Sequence, residues 1–384
     1  METVVLDPER QKQAKVYARI QRRWEIIGLA FSLIYLLAWL IFGWATSLRS
    51  ALSGLTGNVY LLVALFAAGI GGIYFLINLP LEYYTAFVLP HRFGQSTATL
   101  QGWVEDQIKG ILIGAGLGLI LLEIVYILLR AAPQTWWLWV AGVLLLFTVL
   151  MANLAPVLIM PLFYKVIPLG ADHADLVERL MSLARKASTG VQGVFKFDMS
   201  RRTKSANAAL TGLGNTRRVI LGDTLILEFS ADEIETVLAH ELGHHVHKDI
   251  PAGIVIESLI TLAGMYLASL VLNWGVGVFG LQGPADPASL PLLGLALGIF
   301  VLITMPLSNA YSRWREERAD QYALELTGNG AAYASALTRL ANQNLADADP
   351  EPWVEWLFYS HPALSKRIRR AESFPNGKNQ TKKD

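Results

Sequence analysis

The chain has no cysteine among its 384 residues. That excludes a disulfide framework, a thiolate-ligated zinc and a cysteine nucleophile. Charge is also scarce: Asp, Glu, Lys and Arg make up only 16% of the chain. No internal repeat and no nucleic-acid motif is present, so nucleic acid is not an expected partner. The net charge of +1 says nothing by itself; its distribution does. What fills the chain is apolar. Hydrophobic residues reach 53% and the mean hydropathy is +0.39, beyond an ordinary soluble domain.

Six apolar runs are long enough to cross a bilayer core of about 30 Å, which needs about 20 residues. They cover residues 26–45, 59–79, 110–129, 136–158, 250–271 and 290–308. Trp24, Trp44, Trp136 and Trp274 sit near run ends, as interfacial aromatics do. The first run is too long, and followed by too many others, to read as a cleaved signal peptide. The N-terminal stretch holds Arg10, Lys12, Lys15, Arg19, Arg22 and Arg23, whereas the loops after runs one, three and five hold only Arg49 and Arg130. The positive-inside rule then places both termini on the cytoplasmic side.

The most informative short motif is His240-Glu241-Leu242-Gly243-His244. Residues at i and i+4 share a helix face, so both histidines can point at one metal, with Glu241 beside them to polarise a water. Ser230 followed by Glu233 forms a capping box, and the pattern predicts a helix over 232–249, ended before Pro251. His247 shares the face but lies about 4.5 Å further along the axis than His244, a poor fit to a shared metal. His245 leaves the face. Both read as solvated or supporting residues.

A catalytic zinc wants a third protein ligand and an open position. Downstream, Glu316 and Asp320 are again i and i+4. Spacing alone leaves two readings: a ligand with an orienting carboxylate, or a solvated charged face.

The soluble stretch between runs four and five begins with an amphipathic helix over 174–186. Two strand-like segments follow, over 191–199 and 218–227, separated by a turn-rich stretch over 204–214. An exposed edge strand there could bind an extended peptide. The fold class predicted is mainly α and polytopic, with six membrane helices and a cytoplasmic metalloprotease-like domain holding a small β-sheet. Its parts are a cytoplasmic N-terminal segment (1–25), a four-helix membrane region (26–158) with a cytoplasmic loop (80–109), and a protease half-domain (159–249). Two more membrane helices (250–308), a second catalytic half-domain (309–374) and a disordered tail (375–384) complete it.

Further matches run through the chain: Arg92-Phe93-Gly94 through Trp103, Asp106 and Lys109; Pro161-Leu162-Phe163-Tyr164-Lys165; Asp198-Met199-Ser200; Ser205-Ala206-Asn207-Ala208; Arg217 to Leu221; Val237 to His245; Ser312-Arg313; Glu316 with Ala319-Asp320; and Ser360-His361-Pro362. In that order they resemble the type I CAAX prenyl protease family, the integral-membrane zinc metalloproteases of the gluzincin kind. The resemblance implies one zinc ion per chain, with Glu316 as third ligand and Asp320 as partner of a ligand histidine. It implies Glu241 as catalytic base and His361 as the histidine facing the scissile carbonyl. Asn207 and Ala208 become edge-strand residues that hold substrate backbone. Arg367 either binds a substrate carboxylate or pairs with an acid. The partners implied are membrane lipid and a peptide or protein substrate, prenylated CAAX proteins included; nothing in the sequence sets an oligomeric state. The compact loops point to a bacterial or archaeal cell membrane. Eukaryotic members have seven membrane helices around a chamber; this chain has six runs.

Three alternatives differ in sequence terms. A heat-shock-type membrane zinc protease, acting in quality control, has fewer spans. A site-two-type protease buries its zinc helix in the bilayer, yet Glu233, Glu235, Lys248 and Asp249 flank this motif. A non-catalytic zinc-binding scaffold would not need Glu241.

Overall fold

The computed structural model describes residues 4–212 and 216–375. Asp7 caps the first helix through its side chain, with Pro8 at the first helical position. That helix, α1 (Pro8–Ile41), turns at Gly43 (φ +69°) into the short α2 (Trp44–Ser53). Next comes α3 (Val59–Glu82), which carries Pro80 and continues through a π-helical turn, Tyr83–Val88, into α4 (Leu89–Arg92). Helices α5 (Leu100–Ala131) and α6 (Trp136–Leu154) follow, and α6 runs on through another π turn into α7 (Met160–Phe163). The expected loop over 80–109 is therefore mostly helix. Helices at its two ends project beyond their apolar runs and leave only residues 93–99 as a connection.

The soluble insertion contains strands β1 (Val166–Pro168), β2 (Val194–Phe197), β3 (Ala208–Thr211) and β4 (Arg218–Gly222). Helix α8 (Ala174–Lys186) lies between β1 and β2, and α9 (Asp223–Glu228) follows β4. The sheet order is β1-β2-β4-β3, with β2 and β4 parallel and the outer pairs antiparallel. Two expectations need correcting here. The segment over 218–227 is a strand only to Gly222, and the turn-rich stretch over 204–214 contains β3. Residues 213 and 214 of that stretch lie outside the described residues.

Helix α10 (Ala231–Val246) opens with the expected capping box, Ser230 with Glu233. It ends three residues earlier than expected. Lys248 takes a left-handed conformation (φ +57°), and Asp249 starts the next helix, α11 (Asp249–Val278), so Pro251 lies in its first turn. The 38-residue α12 (Leu290–Thr327) carries a membrane run at one end and Glu316 and Asp320 at the other. Gly328 (φ +58°) ends it. Helices α13 (Gly330–Gln343), α14 (Pro352–Phe358) and α15 (Leu364–Ser373) complete the described chain. The expected tail lies, beyond Pro375, outside the described residues.

Among the described residues, six helices are long and apolar enough to cross a membrane. Their neighbours close a ring. α1 meets α3 through Ser32 Oγ and Tyr74 OH at 2.7 Å, and through Tyr35 OH donating to Ile70 C=O at 2.7 Å. α1 also packs on α12, α12 on α11, α11 on α6, α6 on α5 and α5 on α3. Each of the six helices thus has two neighbours among the others. No span among them buries more than 22% of its apolar window. The sheet, α8, α10, α13 and α15 share a separate core around Leu180, Leu221, Leu238 and Leu337.

Candidate metal centre and active site

The site forms where α10 crosses α12. Gly243 makes the crossing close: a Cβ there would lie 3.0 Å from Ala319 Cα and 3.1 Å from its carbonyl oxygen. His240 and Glu316, each about one turn before the crossing, converge with His244 beside Gly243 in a cluster able to hold a metal. His240 Nε2 lies 3.3 Å from His244 Nε2 and 3.3 Å from Glu316 Oε2, and His244 Nε2 lies 3.3 Å from Glu316 Oε1. Ligands about 2.0–2.1 Å from a tetrahedral ion stand about 3.3 Å apart, so these donors fit one. Glu316 Oε2 is buried and has no hydrogen-bond donor among the described residues, which fits a metal ligand.

The far nitrogens are held as metal-binding histidines require. Asp320 Oδ1 accepts from His240 Nδ1 at 2.9 Å, and Asp249 Oδ2 accepts from His244 Nδ1 at 2.8 Å. Each bond puts the proton on Nδ1 and leaves the Nε2 lone pair facing the ligand cluster. Asp320 is itself fixed. Tyr333 OH donates to Oδ1 at 2.6 Å, and Arg367 donates through Nη2 at 2.6 Å and Nε at 2.8 Å. Burial alone would lower the His240 pKa, but its bonds to Asp320 and Glu316 overturn this and raise it to about 9. The pocket's negative field therefore favours a positive charge at its centre, a proton or a metal ion.

Glu241 is the fourth nearby carboxylate and stands outside the ligand trio; burial raises its pKa. It lines a cleft of about 640 Å³ together with His240, His361, Asn207, Ala208 and Arg367. His361 Nε2 reaches to 3.4 Å from Glu316 Oε1, and Ser360 Oγ lies 2.9 Å from His361 Nδ1. Arg313 holds the segment before it. Its Nη1 donates to the carbonyls of Glu355 at 3.0 Å and Tyr359 at 2.7 Å, a cation at the C-terminal end of α14. Asn207 and Ala208 lie at the start of β3, the sheet edge beside the cleft. His245 and His247 take no part in the cluster, and the His247 ring packs 5.8 Å from that of Tyr322.

Sequence reading had no place for two residues of this site. Asp249 carried only the role of a flanking charge, and its nearness to His244 depends on the left-handed Lys248. Tyr333 lies 93 positions from His240 and had no local signal. For Arg367 the geometry puts two of its three nitrogens on Asp320, which is the acid-pairing alternative.

Comparison with known proteins agrees along the whole chain. Residues 3–165 match the family model for the CAAX prenyl protease N-terminal region with five membrane helices, and residues 171–374 match Peptidase family M48. Within residues 3–165 this chain has four long spans and the ten-residue α2. An uncharacterized metalloprotease of Bacillus subtilis, YhfN, is 28% identical over 97% of this chain and 87% of its own. CAAX prenyl protease 1 of Saccharomyces cerevisiae is 30% identical over 94% of this chain and 86% of its own. The crystal structure of S. mikatae Ste24p superposes with a TM-score of 0.86 at 25% identity, covering 95% of this chain and 90% of that one. Six spanning helices, a metal-binding His–His–Glu cluster and these likenesses make this a multi-pass membrane metalloprotease acting on peptide or protein substrates. The chain belongs to the CAAX prenyl protease group of Peptidase family M48.

Proposed function

We propose that this chain uses one zinc ion to cut peptide bonds close to the membrane surface, with prenylated CAAX C-termini as its substrate class. The carrying observation is the trio of ligand atoms spaced 3.3 Å apart beside an uninvolved carboxylate, Glu241, in a cleft edged by β3. Two imidazoles and one carboxylate, with no thiolate, are the donor set of a catalytic zinc. Zinc held there supplies Lewis acidity, lowering the pKa of water and polarising a peptide carbonyl.

The chain's own groups do the rest. Glu241 takes the water's proton and passes it to the leaving amine. Its burial keeps that proton bound more firmly than a surface carboxylate would. His361 donates a hydrogen bond to the developing oxyanion. Asp320 and Asp249 keep His240 and His244 in the ligating tautomer, and Tyr333 and Arg367 keep Asp320 in place. Arg367 thus acts through Asp320, the acid-pairing role of its two alternatives. Ala208 offers its outward peptide group to an extended substrate, and Asn207 beside it lines the cleft that receives it.

Loop charges favour a cytoplasmic active site, and the Bacillus relative favours a prokaryotic cell membrane. The likeness to the yeast CAAX prenyl protease 1 supports prenylated substrates. The test gives purified protein two matched peptides, one with a farnesylated CAAX end and a twin without lipid, and reads products by mass spectrometry. Cleavage after the lipidated cysteine alone is expected. Equal cleavage of both would instead assign a general membrane-proximal peptidase, suited to quality control. No cleavage of either by metal-loaded protein would contradict the substrate class.

A further inference from the structure

The edge strand β3 has an alternating backbone. Asn207 C=O accepts from Gly222 N–H at 2.8 Å, and the register Ala208↔Leu221 puts Asn207 opposite Gly222. In an antiparallel ladder, residues that bond inward alternate with residues that do not. Asn207, Ala209 and Thr211 therefore turn their peptide groups toward β4. Ala206, Ala208 and Leu210 turn theirs to the open side. A peptide adding to this edge would meet those three positions in succession, two residues apart.

The Ala206 position is already taken. Asn344 Oδ1 accepts from Ala206 N–H at 2.8 Å, and Asn344 Nδ2 donates to Ala206 C=O at 3.2 Å. A carboxamide offers the same donor and acceptor as a peptide group. Asn344 therefore sits on Ala206 as the last peptide unit of an added strand would. It is held there firmly. It caps α13 through its backbone N–H, and Gln343 Nε2 beside it donates to Lys204 C=O at 2.8 Å. Leu345 then takes a left-handed conformation, φ +50°, while almost fully buried. A leucine holds that conformation only where its surroundings impose it. Asn344 lines the same cleft as Ala208 and Glu241.

We infer that Asn344 is a register stop for the substrate strand. This rests on the reading of β3 as the substrate-binding edge. A peptide can pair with Ala208 and Leu210 but cannot advance onto Ala206. The stop fixes how far the chain slides along β3 and thus which bond lies over the ligand trio. Asn344 does not touch the reacting atoms; it is a positioning residue.

The test uses the full-length protein and the farnesylated peptide above, lengthened one residue at a time at either end. In the wild type, one end should gain nothing beyond the residue paired with Ala208. Asn344→Gly should free Ala206. Two further residues at that end should then lower KM about fivefold, the worth of about one backbone hydrogen bond. A second product, cut two residues from the first, should also appear. Asn344→Ser repeats the test with less added backbone freedom, and bound metal verifies that both variants fold. Ala208→Pro removes an outward N–H and should raise KM in every background. If Ala208→Pro leaves KM unchanged, the edge-strand reading fails. If it raises KM while both Asn344 variants keep one cut and the wild-type length profile, the register stop is overturned.

Discussion

In the membrane half, helices meet around a buried apolar cluster that includes Tyr35, Trp39, Phe66, Tyr126 and Trp136, while one stretch of α5 is loosely fitted. Gly110, Gly114, Gly116 and Gly118 on α5 have no atom near enough to meet an added Cβ. Where α11 meets α12, Gly264 and Gly275 are crowded, but by the side chains of Phe300 and Leu292; in the catalytic half Gly243 lies against the backbone of α12, which cannot turn aside. Polar groups differ in the same way. Glu233 on α10 is only 2% exposed, yet it accepts from Ser230 N–H, Ser335 Oγ and Arg339 Nε. The membrane helices need only keep their order, so α5 tolerates open space beside its glycines. The catalytic half must hold ligand atoms within tenths of an ångström, so it is over-determined. α12 belongs to both, and carries Glu316 from the ring into the site.

Substitutions can break that contrast. Gly243→Ala should have the largest effect. Its methyl would push α12 from α10 and move Glu316, and a displacement of about 1 Å can cost about 100-fold in rate. Activity and metal content should fall together. Asp320→Asn should weaken metal affinity about 10- to 100-fold, measured by competition with a chelator, because His240 loses the anion that orients it. Glu233→Gln should lower stability by about 2 kcal/mol, read as a lower melting temperature, and leave metal binding intact in the cold. Burial opposes the Glu233 charge, but its bonds to Ser335, Ser230 and Arg339 prevail and hold its pKa below the ordinary value. Its stabilisation is thus present above the unfolded-state pKa and lost as pH falls toward the folded one. The gap between wild type and variant should therefore close on acidification. Gly116→Ala should change stability by less than about 0.5 kcal/mol, and a large loss there would show that the ring is packed more tightly than described.

What the sequence made legible follows from how local each signal is. The capping box at Ser230 and the His–Glu–His spacing are set within one helix, so α10 and two ligands could be read directly. The six spans are long single signals. By contrast β3, with Ala208 and Ala209, has little strand propensity of its own and exists because β4 pairs with it. Leu225, Ile226 and Leu227 extend an apolar run past β4, and such short runs do not distinguish strand from helix. The end of α10 depends on Lys248 adopting a left-handed turn, which a lysine does not advertise. Tyr333 and Asp249 join the site only through tertiary contact. Glu316 was ambiguous by spacing and became a ligand candidate through family resemblance; its position opposite His240 and His244 comes from the crossing at Gly243.

The measurement that tests the central claim most directly is zinc content and peptide cleavage of Glu241→Gln beside the wild type. The account predicts one zinc per chain in both, with cleavage by the variant reduced at least about 100-fold. Loss of zinc from the variant, or retained cleavage with zinc bound, would contradict the separation of metal-holding from proton-moving groups.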